Sequence, residues 1–169
     1  MLLGPVLEGL NIRADGTYID GTFGRGGHSR EIWSRLGPAG RLLAIDRDAD
    51  AVAAVDPSMN DNDRFEIVKG EIADIREIAA SRGLLGKVDG ILFDLGVSSM
   101  QLDRTERGFS YASDAPLDMR MDPDADLTAA EVLNTFDERA LSRMLREFGE
   151  ERFASRIAAQ IVRRRARKP

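Results

Sequence analysis

An α/β fold built on a parallel sheet is what this sequence predicts, and three observations predict it. Four short apolar runs alternate with segments of helical periodicity, which reads as repeated βαβ units. The first run opens into DGTFGRGGHS, residues 20–29, where four residues in ten are glycine. The second run ends at Asp46, 22 residues beyond Gly24.

Strands are expected at Thr17–Asp20, Leu42–Asp46, Phe65–Val68 and Val88–Asp94. Each is short and nearly continuous in apolar residues, as a parallel strand buried on both faces should be. The first helix is expected from His28 to Leu36, closed by Gly37. The second runs from Asp48 to Val55 and is stopped by Pro57, whose ring and missing N–H end a helix. A third carries Ile75, Ile78 and Ala79, with Asp74 as expected N-cap and Gly83 beyond its end.

The character changes after about Leu102. Residues 103–126 are turn-rich and hold seven acidic residues against three arginines. Thr128 and Glu131 then give the T-x-x-E signature of a capping box. Leu141, Met144, Leu145 and Phe148 follow the i, i+3, i+4, i+7 rule up to Gly149. Phe153, Ile157 and Ile161 continue that pattern in a further helix, and the chain ends in RRRARKP. The expected division is residues 1–104 for the sheet-bearing part and 105–169 for a mostly helical part.

Hydrophobic residues make up 43% and charged residues 31% of the 169, enough for one domain with a core. No apolar run approaches the roughly 20 residues that span a bilayer, and no signal-peptide pattern opens the chain, so no membrane association and a cytoplasmic location are expected. A formal net charge of −5 confines any nucleic-acid contact to a local basic patch. From Gly149 onward, seven Lys/Arg stand against two Glu, which reads either as such a patch or as a solvated helix face. The absence of Cys and the single His, His28, exclude disulfides, cysteine nucleophiles, and thiolate or clustered-His metal sites.

The glycine stretch lies between a strand and a helix. Glycine lets the chain turn with positive φ and lets a ligand approach the backbone. The helix N-terminus adds free N–H groups and the positive end of the dipole. A carboxylate at the end of the second strand typically accepts bonds from ribose hydroxyls. Together these features read as a nucleoside site, with Asp46 as a helix cap the plainer alternative. G-x-G-x-x-G counted from Gly24 fails, because Ser29 stands in the last glycine position. No Gly-Lys-Ser/Thr follows, so the P-loop pattern fails too. A methionine-sulfonium nucleoside, which has no phosphate, needs a less strict loop. His28 reads as a cap or a polar group facing the ligand.

GTFGRGGHS at 21–29, LLAIDRD at 42–48, DGILFDLGVSS at 89–99, QLD at 101–103, ERGFS at 106–110, PLDMRMD at 116–122 and GEERFASRIA at 149–158 occur in this order. Together they closely resemble the RsmH (MraW) family, which methylates the N4 amine of a cytidine in bacterial 16S ribosomal RNA, in the decoding region, from S-adenosylmethionine. The resemblance implies a Rossmann-like S-adenosylmethionine-dependent methyltransferase sheet, incomplete in this chain, with a helical substrate-recognition insertion. It implies that Gly26, Gly27 and His28 contact the methionine part of the cofactor and Asp46 the ribose. Asp94 and Gln101 would complete the pocket. Ile72 stands where the family often has an aromatic residue and would leave an apolar wall. The partner implied is small-subunit ribosomal RNA or the assembled small subunit.

N4 methylation needs in-line alignment and an acceptor for the amine hydrogens more than a strong base. The lack of Cys agrees, because methylation at the ring C5 usually uses a cysteine nucleophile. Asp94, Ser98 and Ser99 are the nearest polar candidates for the catalytic role, the serines being equally suited to turn chemistry. Asp118, Arg120 and Asp122 are candidates for the substrate side, where Met119 and Met121 would give adaptable apolar contact. The plainer reading of that segment is a solvated loop buttressed by Asp–Arg pairs. Two other functions compete: a nicotinamide-dependent oxidoreductase domain, and a non-catalytic RNA-binding or assembly module. Four strands make a thin sheet, so residues 1–169 alone are expected to transfer little or no methyl and to keep at most cofactor binding.

Overall fold

The computed structural model describes residues 2–59 and 63–167. Two compact units result: Met1–Asp103 with Met121–Pro123, and Arg104–Arg120 with Asp124–Pro169.

The first unit begins with helix α1 (Leu3–Leu10), which the sequence pattern does not announce. Gly4, Pro5 and Gly9 disguise it, yet Pro5 falls in the first turn, where its missing N–H costs nothing. Strand β1 (Thr17–Asp20) leads through the glycine stretch into α2 (Gly27–Arg35). Strand β2 (Arg41–Asp46) is followed by α3 (Ala49–Ala53), shorter than expected. Strand β3 (Phe65–Lys69) and α4 (Ile75–Ser81) come next. Asp74 precedes α4, but its side chain makes no capping bond.

Strand β4 covers only Gly90–Leu92, not the predicted Val88–Asp94. Its exit is set by side-chain chemistry. Gly21 N–H donates to the Leu92 carbonyl at 2.9 Å, and the Asp94 N–H turns to the Thr22 hydroxyl at 2.7 Å instead of continuing the ladder. Helix α5 (Ser99–Asp103) follows.

The four strands are parallel in the order β3-β2-β1-β4. Alternate side chains feed two cores, one on each face. Tyr18, Leu42 and Ala44 meet Leu7 of α1 and Ile32 of α2 on one face. Ile19, Leu43 and Ile45 meet Ala79 of α4 and Leu84 on the other. This is a doubly wound α/β layer arrangement, as the sequence predicts. Strand β4 ends the sheet. Ile91 is 46% and Phe93 42% exposed there, apolar side chains at an unpaired strand edge.

In the second unit, the capping box forms as predicted. Glu131 N–H donates to the Thr128 hydroxyl at 3.2 Å, and Thr128 N–H to the Glu131 carboxylate at 2.8 Å, at the start of α6 (Ala129–Thr135). Asp137 caps α7 (Glu138–Glu147), which packs on α8 (Ala154–Arg165). Arg165 donates to the Leu133 and Phe136 carbonyls, both at 2.6 Å, and so closes the end of α6. Leu141 is fully buried, but Phe148 is 84% exposed, because α7 stops at Glu147 and Phe148 is only its C-cap. On α8, Ala154 and Ala158 take the buried positions and leave Phe153, Ile157 and Ile161 outside that line. Small residues at the contact let the two helices approach closely. Lys168 and Pro169, the end of the basic run, lie outside the described residues.

Candidate functional site

The chain reverses its direction of travel across the sheet at β1, because β2 lies on one side of it and β4 on the other. The crevice at the carboxyl ends of the strands at such a point is where open α/β sheets bind ligands. The loop after β1 occupies it, with Asp46 at the end of β2 and Asp94 just beyond β4.

Asp46 sits directly beneath the glycine loop. Gly24 N–H donates to its Oδ2 at 2.7 Å, and Asp48 N–H to its Oδ1 at 2.9 Å. The 22-residue spacing in sequence is thus a contact in space. A carboxylate has about four lone-pair positions. Two are spent on the backbone, one per oxygen, which leaves one on each, and Asp46 is half-buried. Gly26, with φ +70°, begins the turn into α2, and a Cβ there would lie 2.6 Å from the Phe23 ring. A Cβ on Gly27 would meet nothing within 4 Å, so the space above the helix N-terminus is open.

His28 is 6% exposed. Its Nδ1 lies 3.8 Å from Asp94 Oδ2, and its Nε2 is buried with no hydrogen-bond partner among the described residues. A buried polar atom left unpaired costs free energy comparable to a lost hydrogen bond. A ligand group that pairs with it would recover that cost.

Asp20, at the end of β1, is fully buried. Its Oδ2 accepts the Ser29 hydroxyl at 2.7 Å and its Oδ1 the Thr22 N–H at 3.1 Å. Burial pushes its carboxyl up from the ordinary value, and Ser29, Thr22 and His28 draw it back only in part. A carboxyl that holds its proton more tightly when folded makes stability fall as pH rises from the ordinary carboxylate value through the raised one. Above that window the cost of the buried charge is complete. Asp20→Asn keeps the size and an acceptor but has no charge to bury. We expect its stability relative to the parent to rise from about pH 4 towards neutrality. Urea midpoints across that range check this, and parallel curves would contradict it.

Asp94 is exposed, and its backbone is tied to Thr22. Ser98 and Gln101 exchange bonds as a capping pair at the start of α5. Ser98 N–H donates to the Gln101 side-chain oxygen at 3.0 Å, and Gln101 N–H to the Ser98 hydroxyl at 3.2 Å. Gln101 also donates to the buried Asp48 carboxylate at 3.0 Å. Ser99 is exposed on the first turn, and Ile72 is half-buried in a turn after β3. The structure therefore brings Gly26, Gly27, His28, Asp46 and Asp94 together around the β1 loop, with Ser98 and Gln101 anchored through Asp48.

Asp118 and Arg120 belong to the second unit and Asp122 to the first. Arg120 pairs with Asp118 through two bonds, at 2.9 and 2.7 Å, and donates to the Ala125 carbonyl at 2.8 Å. The guanidinium holds Asp118 below the usual carboxylate range. Asp122 pairs with Lys69 at 3.1 Å. These charges are already partnered within their own units.

The whole chain, residues 1–169, matches the MraW methylase family. The chain belongs to that family. It is 56% identical over 169 residues to a curated protein of Methylococcus capsulatus (strain ATCC 33009 / NCIMB 11132 / Bath) described as "Ribosomal RNA small subunit methyltransferase H". That match takes in 99% of this chain and 56% of the relative, so the chain spans little more than half the relative's length.

Three residues that brace this candidate site stand inside the quoted motifs, but the sequence assigns them no role. Thr22 fixes Asp94, Ser29 ties the α2 helix to Asp20, and Asp48 receives Gln101 from 53 residues away. Ser29 had a signal: it is the residue that breaks the glycine pattern, and its hydroxyl is the reason a glycine would not serve. The other two depend on loops meeting across the sheet, which local spacing does not encode.

Proposed function

We propose that this chain carries the cofactor site of an S-adenosylmethionine-dependent methyltransferase that acts on the N4 amine of a cytidine in 16S ribosomal RNA, in the cytoplasm. The observation that carries the reading is Asp46, whose two oxygens are each held by one backbone N–H and each keep a further lone-pair position. Two adjacent acceptors of that kind suit the vicinal diol of a ribose. The other groups fit the same ligand. The open space at Gly27 and the unpaired His28 Nε2 suit the polar methionine end, and half-buried Ile72 offers an apolar wall to the base. When bound, the cofactor supplies an electrophilic methyl on a sulfonium.

The protein's contribution is placement. Asp46 and the glycine loop fix the nucleoside, and Gln101 with Ser98 braces the loop after β4 through Asp48. Thr22 holds the Asp94 backbone, so the Asp94 carboxylate is available to accept an amine hydrogen of the base. Ser99, exposed on the neighbouring turn, is the secondary candidate. Asp118, Arg120 and Asp122 are assigned to the substrate side on family resemblance. Residues 105–169 are read as the beginning of a substrate-recognition insertion, and the small subunit or its RNA as the partner.

Calorimetric titration of the 169-residue chain tests the reading. Saturable binding of adenosylmethionine with none of NAD is the expected result. Binding of NAD instead would assign the loop to a nicotinamide cofactor. Binding of neither would remove the cofactor site from this chain.

A further inference from the structure

We propose that α7 presents a phosphate-binding row for RNA, formed by Arg139, Arg143 and Arg146 with the hydroxyls of Ser142 and Ser155. This inference rests on the reading that the partner is RNA, and it places the contact on a surface that no site motif includes. The three arginines follow i, i+4 and i+7, so they share one helix face and are spaced along roughly 10 Å of it. Leu141 turns into the core on the other side of the helix.

Together these groups line a shallow depression of about 780 Å³, whose lining also includes Asp137, Glu138 and Glu147. Ser142 and Ser155 hydroxyls meet there at 2.9 Å, and Arg146 donates to Ser155 at 3.0 Å. That bond holds one guanidinium in place without neutralising it.

The alignment of the row sets it apart. In the first unit, Arg13 pairs with Asp89, Arg25 with Asp103, Arg47 with Glu71 and Arg82 with Glu66, and the arginines that form no ion pair among the described residues, Arg30, Arg35, Arg41 and Arg76, do not line up three to a helix. Among the described residues, Arg139, Arg143 and Arg146 form no ion pair despite the acidic neighbours, and neither do Arg156 and Arg163 on α8. A guanidinium with no ion pair keeps N–H donors for an anion. Guanidinium forks and serine hydroxyls are the groups that contact phosphate oxygens. A membrane surface fits less well, because such binding needs large apolar side chains beside the cations, and none lines this depression.

The test is RNA binding by the 169-residue chain, followed by fluorescence anisotropy at 50–200 mM salt. The probes are a labelled 16S RNA fragment and a single-stranded RNA of mixed sequence. The variant Arg139→Gln/Arg143→Gln/Arg146→Gln should weaken binding by about tenfold or more at low salt and lower the log–log salt slope by about 2. Arg35→Gln/Arg41→Gln/Arg76→Gln makes the same net charge change on exposed positions of the first unit and should change the slope far less. Unchanged affinity and slope in the α7 variant, or an equal loss in both, would overturn the assignment. So would binding of 7:3 phosphatidylcholine/phosphatidylglycerol vesicles with no binding of RNA. Adenosylmethionine titration on the same samples separates this proposal from the cofactor reading. A parent chain that binds RNA through the row but not adenosylmethionine keeps the first and refutes the second.

Discussion

Replacing Gly26 by valine is expected to remove most cofactor binding and a large part of the fold's stability. Gly26 has φ +70°, a region that β-branched residues essentially never adopt. Holding a non-glycine residue there costs roughly 1–3 kcal/mol. The added Cβ would also lie 2.6 Å from the Phe23 ring, which is itself packed in the main core beside Phe65. Forcing that core apart costs typically 1–3 kcal/mol more. Both act on a total stability of about 5–15 kcal/mol. Chemical denaturation and adenosylmethionine titration on one sample give the two effects separately. The double variant Gly26→Ala/Phe23→Leu removes the ring contact and should recover part of the stability while keeping the backbone cost. A Gly26→Val protein of parental stability would contradict the packing account. Full affinity per folded molecule would take Gly26 out of the ligand site.

Asp46→Ala is expected to weaken adenosylmethionine binding by about 10- to 150-fold, the equivalent of roughly 1.5–3 kcal/mol for a charge-assisted hydrogen bond. The structure adds a second consequence. Gly24 and Asp48 lose their acceptor, so the glycine loop loses its hold on β2 and stability falls as well. Asp46→Asn separates the two roles. Its single carbonyl oxygen can still accept from one of these N–H groups, so it should be more stable than the alanine variant while still binding weakly. Calorimetry that finds parental affinity in both variants would remove Asp46 from the ribose site.

Much of this fold and part of its site could be read from residues alone. Short apolar runs ending in Asp20 and Asp46, glycines at 24, 26 and 27, and the Thr128–Glu131 pair are local patterns, and local physics produces them: strand burial, a tight turn, a helix cap. Repeated βαβ units then imply a parallel sheet with helices on its faces, while the order β3-β2-β1-β4 and the face each run supplies come from the folded chain. The tertiary structure decided the rest. Helix α1 was hidden because its glycines and proline count against a helix in sequence, while the Leu7 contact with the core outweighs that propensity. Strand β4 stops at Leu92 on its C-terminal side, where Thr22 takes the Asp94 N–H, a bond between residues 72 apart. On α8 the buried line shifted to Ala154 and Ala158, because close helix packing favours small side chains over the larger ones that a hydrophobicity pattern selects. The sequence by itself determined the sheet, the loop and the acidic residue beneath it. Only the folded chain decided that Asp20 is sealed from water and that, among the described residues, one His28 nitrogen has no partner and the α7 arginines form no ion pair. Those properties depend on which groups meet across distant segments, and on how much water remains between them.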